Sequence, residues 1–316
     1  MKELFLKVDY SDFDAISKVF SLLHDEDFDF VEIEVNTSTK FDKTNIKKIF
    51  DEENLLNTTV FHNTIVLPYR TSICYGYLKR YRFKVIFKID TTKGINKRAL
   101  SRKLEKLKKK KIDYTVRIEN YSGSIKDVID YFNLGNVKYD FENIDYSNNY
   151  IEYFRKWIYD KNAPHISFFD DVINAVLLKT GLMDCRYSSC LGKRLYLSND
   201  MVFSFCHLHP EKTVLANLSY INTFEDIFEQ TSILNTISNS IKKRNNCIID
   251  CEYYDFCKGG CPICKTTQCK EKYFTEFYNE VNQTMQTVIN SNNLDEYNIH
   301  IKNAVLKYIV FKNTNI

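Results

Sequence analysis

CIIDCEYYDFCKGGCPICKTTQC, Cys247 to Cys269, holds six of the chain's ten cysteines. Three more, Cys185, Cys190 and Cys206, precede it, and Cys74 is the sole cysteine upstream of them. Thiolates this dense repel one another unless a cation neutralises them. The N-terminal MKELFLKVDYSDF lacks the apolar core and cleavage site of a signal peptide. A cytoplasmic location is therefore expected, where thiols stay reduced and disulfides are the weaker explanation. Metal or redox chemistry becomes the default reading of the stretch.

Two metals suit such thiols. Zinc takes about four in a tetrahedral arrangement, and an iron–sulfur cubane takes about four, one per iron. The nine cysteines from Cys185 to Cys269 allow two such sites and one spare ligand. Cys247/Cys251 and Cys261/Cys264 fit zinc-knuckle spacing, whereas Cys251-x5-Cys257-x3-Cys261 does not. Gly259 and Gly260 permit a tight turn whose amides can approach cluster sulfurs. Tyr253, Tyr254 and Phe256 can shield a cluster from water. Spacing alone leaves both metals open.

Working outward, the rest of the chain alternates in character. KELFLKVDY, FVEIEVN, TTVFHNTIVLP, RFKVIFKID, DYTVRIEN and VKYDFEN read as strands. SDFDAISKVFSLLHDED, TNIKKIFDEENLL, NKRALSRKLEKLKKKK, SIKDVIDYFN and YIEYFRKWIYD read as helices. About six βα units imply an α/β fold with a mostly parallel, helix-covered sheet. Six units suit an open partial barrel or a doubly wound sheet, and periodicity does not separate the two. The tail EYNIHIKNAVLKYIVFK is apolar enough to dock as a strand or a helix.

Charge is nearly balanced, 44 basic against 41 acidic residues, so nothing argues for nucleic acid. The run Lys108–Lys111 reads as a solvated helix end. No apolar run approaches the ~20 residues of a membrane span, so no membrane is expected. His24, His62, His165 and His300 read as isolated packing or surface residues. His207 and His209, beside Cys206, read as neighbours of a metal centre or surface residues. Asp9, Glu32, Glu34 and Asp90 fall near strand ends, where solvation is the simpler account.

Residues Cys185 to Cys269 resemble a SPASM domain, the auxiliary-cluster domain of radical S-adenosylmethionine peptide maturases and anaerobic sulfatase maturases. CIIDCEYYDFCKGGC supplies C-x3-C-x5-C-x3-C where that family has C-x2-C-x5-C-x3-C. LYLSNDMVFSFC resembles the family's strand–turn–strand ending on a ligand cysteine. VLANLSYINTFEDIFEQ, with Asn217 and the segment around Phe224–Phe228, resembles its following strand and short helix. Met201 replaces the family's glycine five positions before Cys206, so that turn is expected to be built differently.

The resemblance implies a partial (β/α)6 barrel over 1–180, a SPASM domain over 181–275 and a C-terminal extension over 276–316. It implies two [4Fe–4S] clusters. Cys185, Cys190, Cys206 and Cys261 would hold the first. Cys247, Cys251, Cys257 and Cys269 would hold the second, with Cys264 as alternative ligand. The family's C-x3-C-x2-C loop, whose three thiolates leave one iron open for the cofactor, is absent upstream of Cys185. Asn36-Thr37-Ser38-Thr39 stands where the family usually carries Gly-Gly-Glu-Pro. The resemblance thus implies a degenerate, non-catalytic member, with S-adenosylmethionine not expected as cofactor. Its partner would be a precursor peptide or an active radical SAM maturase. A zinc-stapled scaffolding or binding module and an active peptide-modifying enzyme with an unrecognised or partner-supplied catalytic site are the alternatives.

Overall fold

The computed structural model describes residues 3–10, 18–19, 21–23, 30–37, 61–80, 82–91, 95–119, 125–132, 138–142, 148–179, 194–206, 211, 213–229, 235, 238–239, 242, 253, 272–291 and 293–314. In chain order the strands are β1 (Glu3–Tyr10), β2 (Phe30–Thr37), β3 (Phe61–Pro68), β4 (Lys84–Asp90), β5 (Tyr114–Glu119), β6 (Lys138–Glu142), β7 (His165–Ile166), β8 (Arg194–Leu197), β9 (Val202–Ser204) and β10 (Val214–Asn217). The helices are α1 (Tyr75–Arg80), α2 (Lys97–Lys109), α3 (Ile125–Phe132), α4 (Asn148–Trp157), α5 (Ser167–Leu178), α6 (Lys272–Ile289) and α7 (Ile299–Thr314).

The chain forms two compact units. One comprises residues 1–89, 96–115 and 190–242, the other 90–95, 116–189 and 243–316. In the first, strand order is β10-β9-β8-β1-β2-β3-β4. β1 pairs parallel with β2 and β8, β2 with β3, and β3 with β4. β9 runs antiparallel to both β8 and β10.

β1 to β4 are neighbours in chain order. A doubly wound sheet reverses its order partway; an ordered succession of right-handed crossovers keeps the helices on one face, as in a barrel. The ambiguity left by periodicity is thus settled for an α/β fold of the partial-barrel kind.

Alternation along the strands decides which face is covered. Leu4, Leu6, Val31, Ile65, Leu67, Val85, Phe87, Ile89, Leu195 and Leu197 are all buried on one face. Helix residues Val19, Leu22 and Leu23, with Leu78 of α1, are buried as well. α2 contributes Leu100, Leu104 and Leu107 at helical spacing, each burial stabilising by about 1.5–3 kcal/mol. Asn96 starts α2 by accepting the Ala99 amide at 3.1 Å. α2 ends at the lysine run, and Lys108, Lys109, Lys110 and Lys111 are exposed, as a solvated helix end should be.

The second unit holds β6 and β7, paired parallel, and an all-helical core. Phe154 and Trp157 of α4, Phe169 of α5 and Phe277 of α6 meet with centroids 5.1–6.1 Å apart, mostly edge to face. Ile301 and Val305 of α7 close that core. The tail is therefore a docked helix. β7, α5 and α6 had no counterpart in the sequence reading, although Phe277, Val281, Met285 and Val288 of α6 recur at helical spacing and are buried.

The strand reading of Arg194–Ser204 holds, but the turn differs from expectation. Met201 adopts φ 59°, the left-handed conformation a glycine would supply. Its amide donates to the Ser198 carbonyl at 3.0 Å and its carbonyl accepts from Leu218 at 2.8 Å. Those bonds hold a methionine where glycine costs less, so the turn is kept and only its residue is changed.

Candidate functional site

The other face of the first unit's sheet carries charged residues on β1, β2 and β8 and turns apolar on β3 and β4, where Val66 and Ile86 are buried. Registers place Arg194, Phe5 and Glu32 in one row, and Tyr196, Lys7, Glu34, Thr64 and Lys84 in the next. Side chains at like positions on parallel neighbours share a face. Most of these residues are half-buried, whereas the opposite face is apolar and closed. Lys7 and Glu34 stand opposite across β1–β2, with Nζ–Oε1 3.7 Å and side chains about 20% and 18% exposed. Such a pair at reduced exposure is costly to keep unless something polar is to be bound or the charges support each other. The acids were read as solvated; Glu34 is instead a half-buried partner of a lysine. Asp9 has no described side chain.

At the C-terminal end of β3 the chain turns through Tyr69 and Arg70. Tyr69 is buried, and its hydroxyl accepts from Arg70 Nε at 3.0 Å and from the Asn96 amide at 3.1 Å. Burial pushes the phenol up, but these two donors and the charges of Arg70 and Lys103 outweigh it, so its pKa lies below the ordinary tyrosine value. Lys103 donates to the carbonyls of Tyr69 at 2.5 Å and Thr71 at 2.6 Å, tying this loop to α2. Burial draws the Lys103 ammonium below its ordinary pKa, and Tyr69 opposes that. In parallel α/β barrels this strand end is where sites are built. No sequence motif flagged Tyr69 or Arg70; strand-end position was the available signal.

Of the expected thiolate ligands, Cys206 alone is described. It sits just past β9 and is 3% exposed. Its amide donates to Thr213 Oγ1 at 3.1 Å and its carbonyl accepts from Ser204 Oγ at 3.3 Å. Phe205 donates to the Thr213 carbonyl at 3.2 Å, fixing the chain on either side of the thiol. A fixed, buried sulfur at a strand end fits a soft metal or cluster, which would neutralise its thiolate. Cys185, Cys190, Cys247, Cys251, Cys257, Cys261, Cys264 and Cys269 lie outside the described residues, as do His24, His207 and His209. Cys74, half-buried just before α1, stays apart from Cys206 in sequence and in element.

Downstream of Cys206 the structure has a strand and two short helical turns where a strand and a short helix were expected. β10 ends on Asn217, whose Oδ1 accepts from Ser219 at 2.8 Å and opens a short turn of helix, Leu218–Tyr220. A second, Glu225–Phe228, is preceded by Asn222 and Thr223, whose amides donate to Asp226 Oδ2 at 2.7 and 2.9 Å. Those donors hold the Asp226 carboxyl below the usual range.

In the second unit, the structure gathers two histidines that the sequence left isolated. His165 of β7, Asp170 of α5 and His300 of α7 bring ligand-type atoms within 4.8 Å of one another. His165 Nε2 contacts Asp170 Oδ2, and the two imidazoles stack with centroids 5.1 Å apart. His300 Nε2 donates to the Ala163 carbonyl at 3.1 Å. Burial draws His300 below its ordinary pKa; the Ala163 bond and Asp170 oppose this, and His165 adds to it.

No family model and no curated protein matches the chain. Solved structures do. A hexahistidine-tagged anSMEcpe with bound AdoMet is 15% identical, with a TM-score of 0.67 over 97% of this chain and 99% of that one. Native anSMEcpe with bound AdoMet and the Cp18Cys peptide is 16% identical, with a TM-score of 0.65 over 90% of this chain and 97% of that one. At these identities the likeness establishes the fold: an α/β chain of the radical-SAM-like partial-barrel kind. No helix among the described residues is long and apolar enough to cross a membrane.

Proposed function

We propose that the chain is an iron–sulfur accessory protein of a ribosomal-peptide maturation system, a cytoplasmic pseudoenzyme of the radical SAM SPASM type. It binds a precursor peptide or an active maturase, relays electrons through two auxiliary [4Fe–4S] clusters, or does both. The observation that carries this reading is the combination of nine cysteines in SPASM order with a barrel-type N-terminal region lacking C-x3-C-x2-C. The fold of anSMEcpe, which has been seen with a bound peptide, supports a peptide partner. The charged, half-buried sheet face around Lys7 and Glu34 supports it too. An extended peptide offers amides and carbonyls that such a face can pair. Cys206, buried and held on both sides, supports a ligand role in the first cluster, with Cys185, Cys190 and Cys261. Cys247, Cys251, Cys257 and Cys269, or Cys264, would complete the second.

The test is iron, zinc and acid-labile sulfide content of anaerobically purified protein, with electron paramagnetic resonance after dithionite reduction. About eight irons and eight sulfides per chain are expected, falling to about four of each in Cys206→Ala. Zinc without sulfide would remove the electron-relay role and leave a zinc-stapled binding module. Cleavage of S-adenosylmethionine by the reduced protein would refute the pseudoenzyme assignment and make it an active peptide-modifying enzyme.

A further inference from the structure

We propose that His165, Asp170 and His300 form a divalent transition-metal site of nitrogen and oxygen donors that ties α7 to β7 and α5. It does not rest on the function proposed above. Two imidazoles and one carboxylate are a borderline nitrogen–oxygen donor set that suits zinc, with a fourth position left to water.

The three ligands come from three elements of one unit. The donor atoms lie within 4.8 Å of one another. Tetrahedral zinc with bonds of about 2.0–2.1 Å needs its donor atoms roughly 3.3–3.4 Å apart. With His300 held, rotation of the partly exposed His165 and Asp170 side chains would have to cover that difference.

Supporting contacts match those that orient metal-binding imidazoles. His300 donates Nε2–H to the Ala163 carbonyl at 3.1 Å, leaving Nδ1 with its lone pair. Trp157 stacks on His300 with centroids 5.5 Å apart and planes 14° apart. Trp157 is itself fixed, its indole N–H donating to the Pro164 carbonyl at 2.8 Å. Ala163 and Pro164 immediately precede His165, so one short segment orients both imidazoles. Asn174 donates to the Asp170 carbonyl at 2.7 Å and steadies that turn of α5. All three ligands are half-buried, which screens the site without sealing it from an entering ion.

The experiment titrates cobalt(II), and in parallel zinc, into the full chain after anaerobic iron loading. Cobalt on nitrogen and oxygen gives visible d–d bands; cobalt on thiolates adds near-ultraviolet sulfur charge transfer, so the two kinds of site are told apart. We expect one cobalt per chain with d–d bands alone, and a rise in Tm on adding zinc. Asp170→Asn, isosteric at a half-exposed position, and His300→Phe, which keeps the stack on Trp157, should each weaken this cobalt at least about tenfold. Both should abolish the zinc-dependent Tm rise. The same d–d bands and uptake in wild type and Asp170→Asn would overturn the proposal, as would cobalt binding confined to thiolate sites. Failure of the SPASM clusters to assemble would leave this result unchanged, so the two readings fail separately.

Discussion

Replacing Asn298 with alanine should undock the C-terminal helix. Asn298 is fully buried immediately before α7. Its Oδ1 accepts from the Ile301 amide at 2.9 Å, its Nδ2 donates to the Trp157 carbonyl at 2.6 Å, and its own amide donates to the Ile158 carbonyl at 2.8 Å. The first bond is an N-cap, whose loss costs about 0.5–2 kcal/mol. The second adds to the end of α4, where the Trp157 carbonyl also accepts from the Asp160 amide at 3.2 Å, so its loss costs about 0.5–1.5 kcal/mol. The sum, roughly 1–3.5 kcal/mol, falls on local opening of α7, because the backbone bond from Asn298 survives the change. Amide hydrogen exchange of residues 299–314 should accelerate roughly 5- to 300-fold, at about 1.4 kcal/mol per tenfold. Asn303→Ala, at an exposed position on the same helix, should change little. Exchange in Asn298→Ala within about threefold of wild type would refute the reasoning. It would mean that burial of Ile301 and Val305, not the asparagine, holds the helix.

Met201→Gly should be neutral or stabilising by up to about 1 kcal/mol, since glycine takes φ 59° without side-chain cost. Met201→Val should lose about 1–2 kcal/mol, and chemical denaturation checks both. Arg155 grips Glu280 through two bonds, at 2.9 and 2.5 Å, and that hydrogen bonding holds the Glu280 carboxyl below its ordinary pKa. The sign follows: the pair contributes above the unfolded pKa of about 4.3 and is lost as pH falls through the lower folded value. With Arg155 59% exposed, the contribution is about 0.2–1 kcal/mol. Glu280→Gln should therefore flatten stability against pH below about 4.3, and an unaltered slope in acid unfolding would contradict the assignment. Lys7→Met should weaken binding of a peptide partner, read by fluorescence anisotropy of a labelled precursor peptide. Unchanged affinity would remove the charged sheet face from the binding surface.

Much of the fold was legible because strands and helices announce themselves through local periodicity. Glu3–Tyr10, Lys84–Asp90 and Lys97–Lys109 each carry a repeat that decides their type within a few residues. The cysteine spacing likewise belongs to the sequence alone, and it fixed which thiols are candidates for two metal sites. The sequence also placed Lys7 and Glu34 on alternating strand positions, and could not say which face they would share or whether helices would cover it.

That choice needed the order of the strands. Once β1 to β4 lie in chain order, the face of buried leucines and valines and the face bearing Lys7 and Glu34 are told apart. The same holds for the residues distant in sequence. Asn298 meets Trp157 across 141 residues, and His300 meets Ala163 across 137. Periodicity reports only what lies a turn or two along the chain. Contacts between helices docked from opposite ends of the sequence are set by packing, which no local pattern encodes.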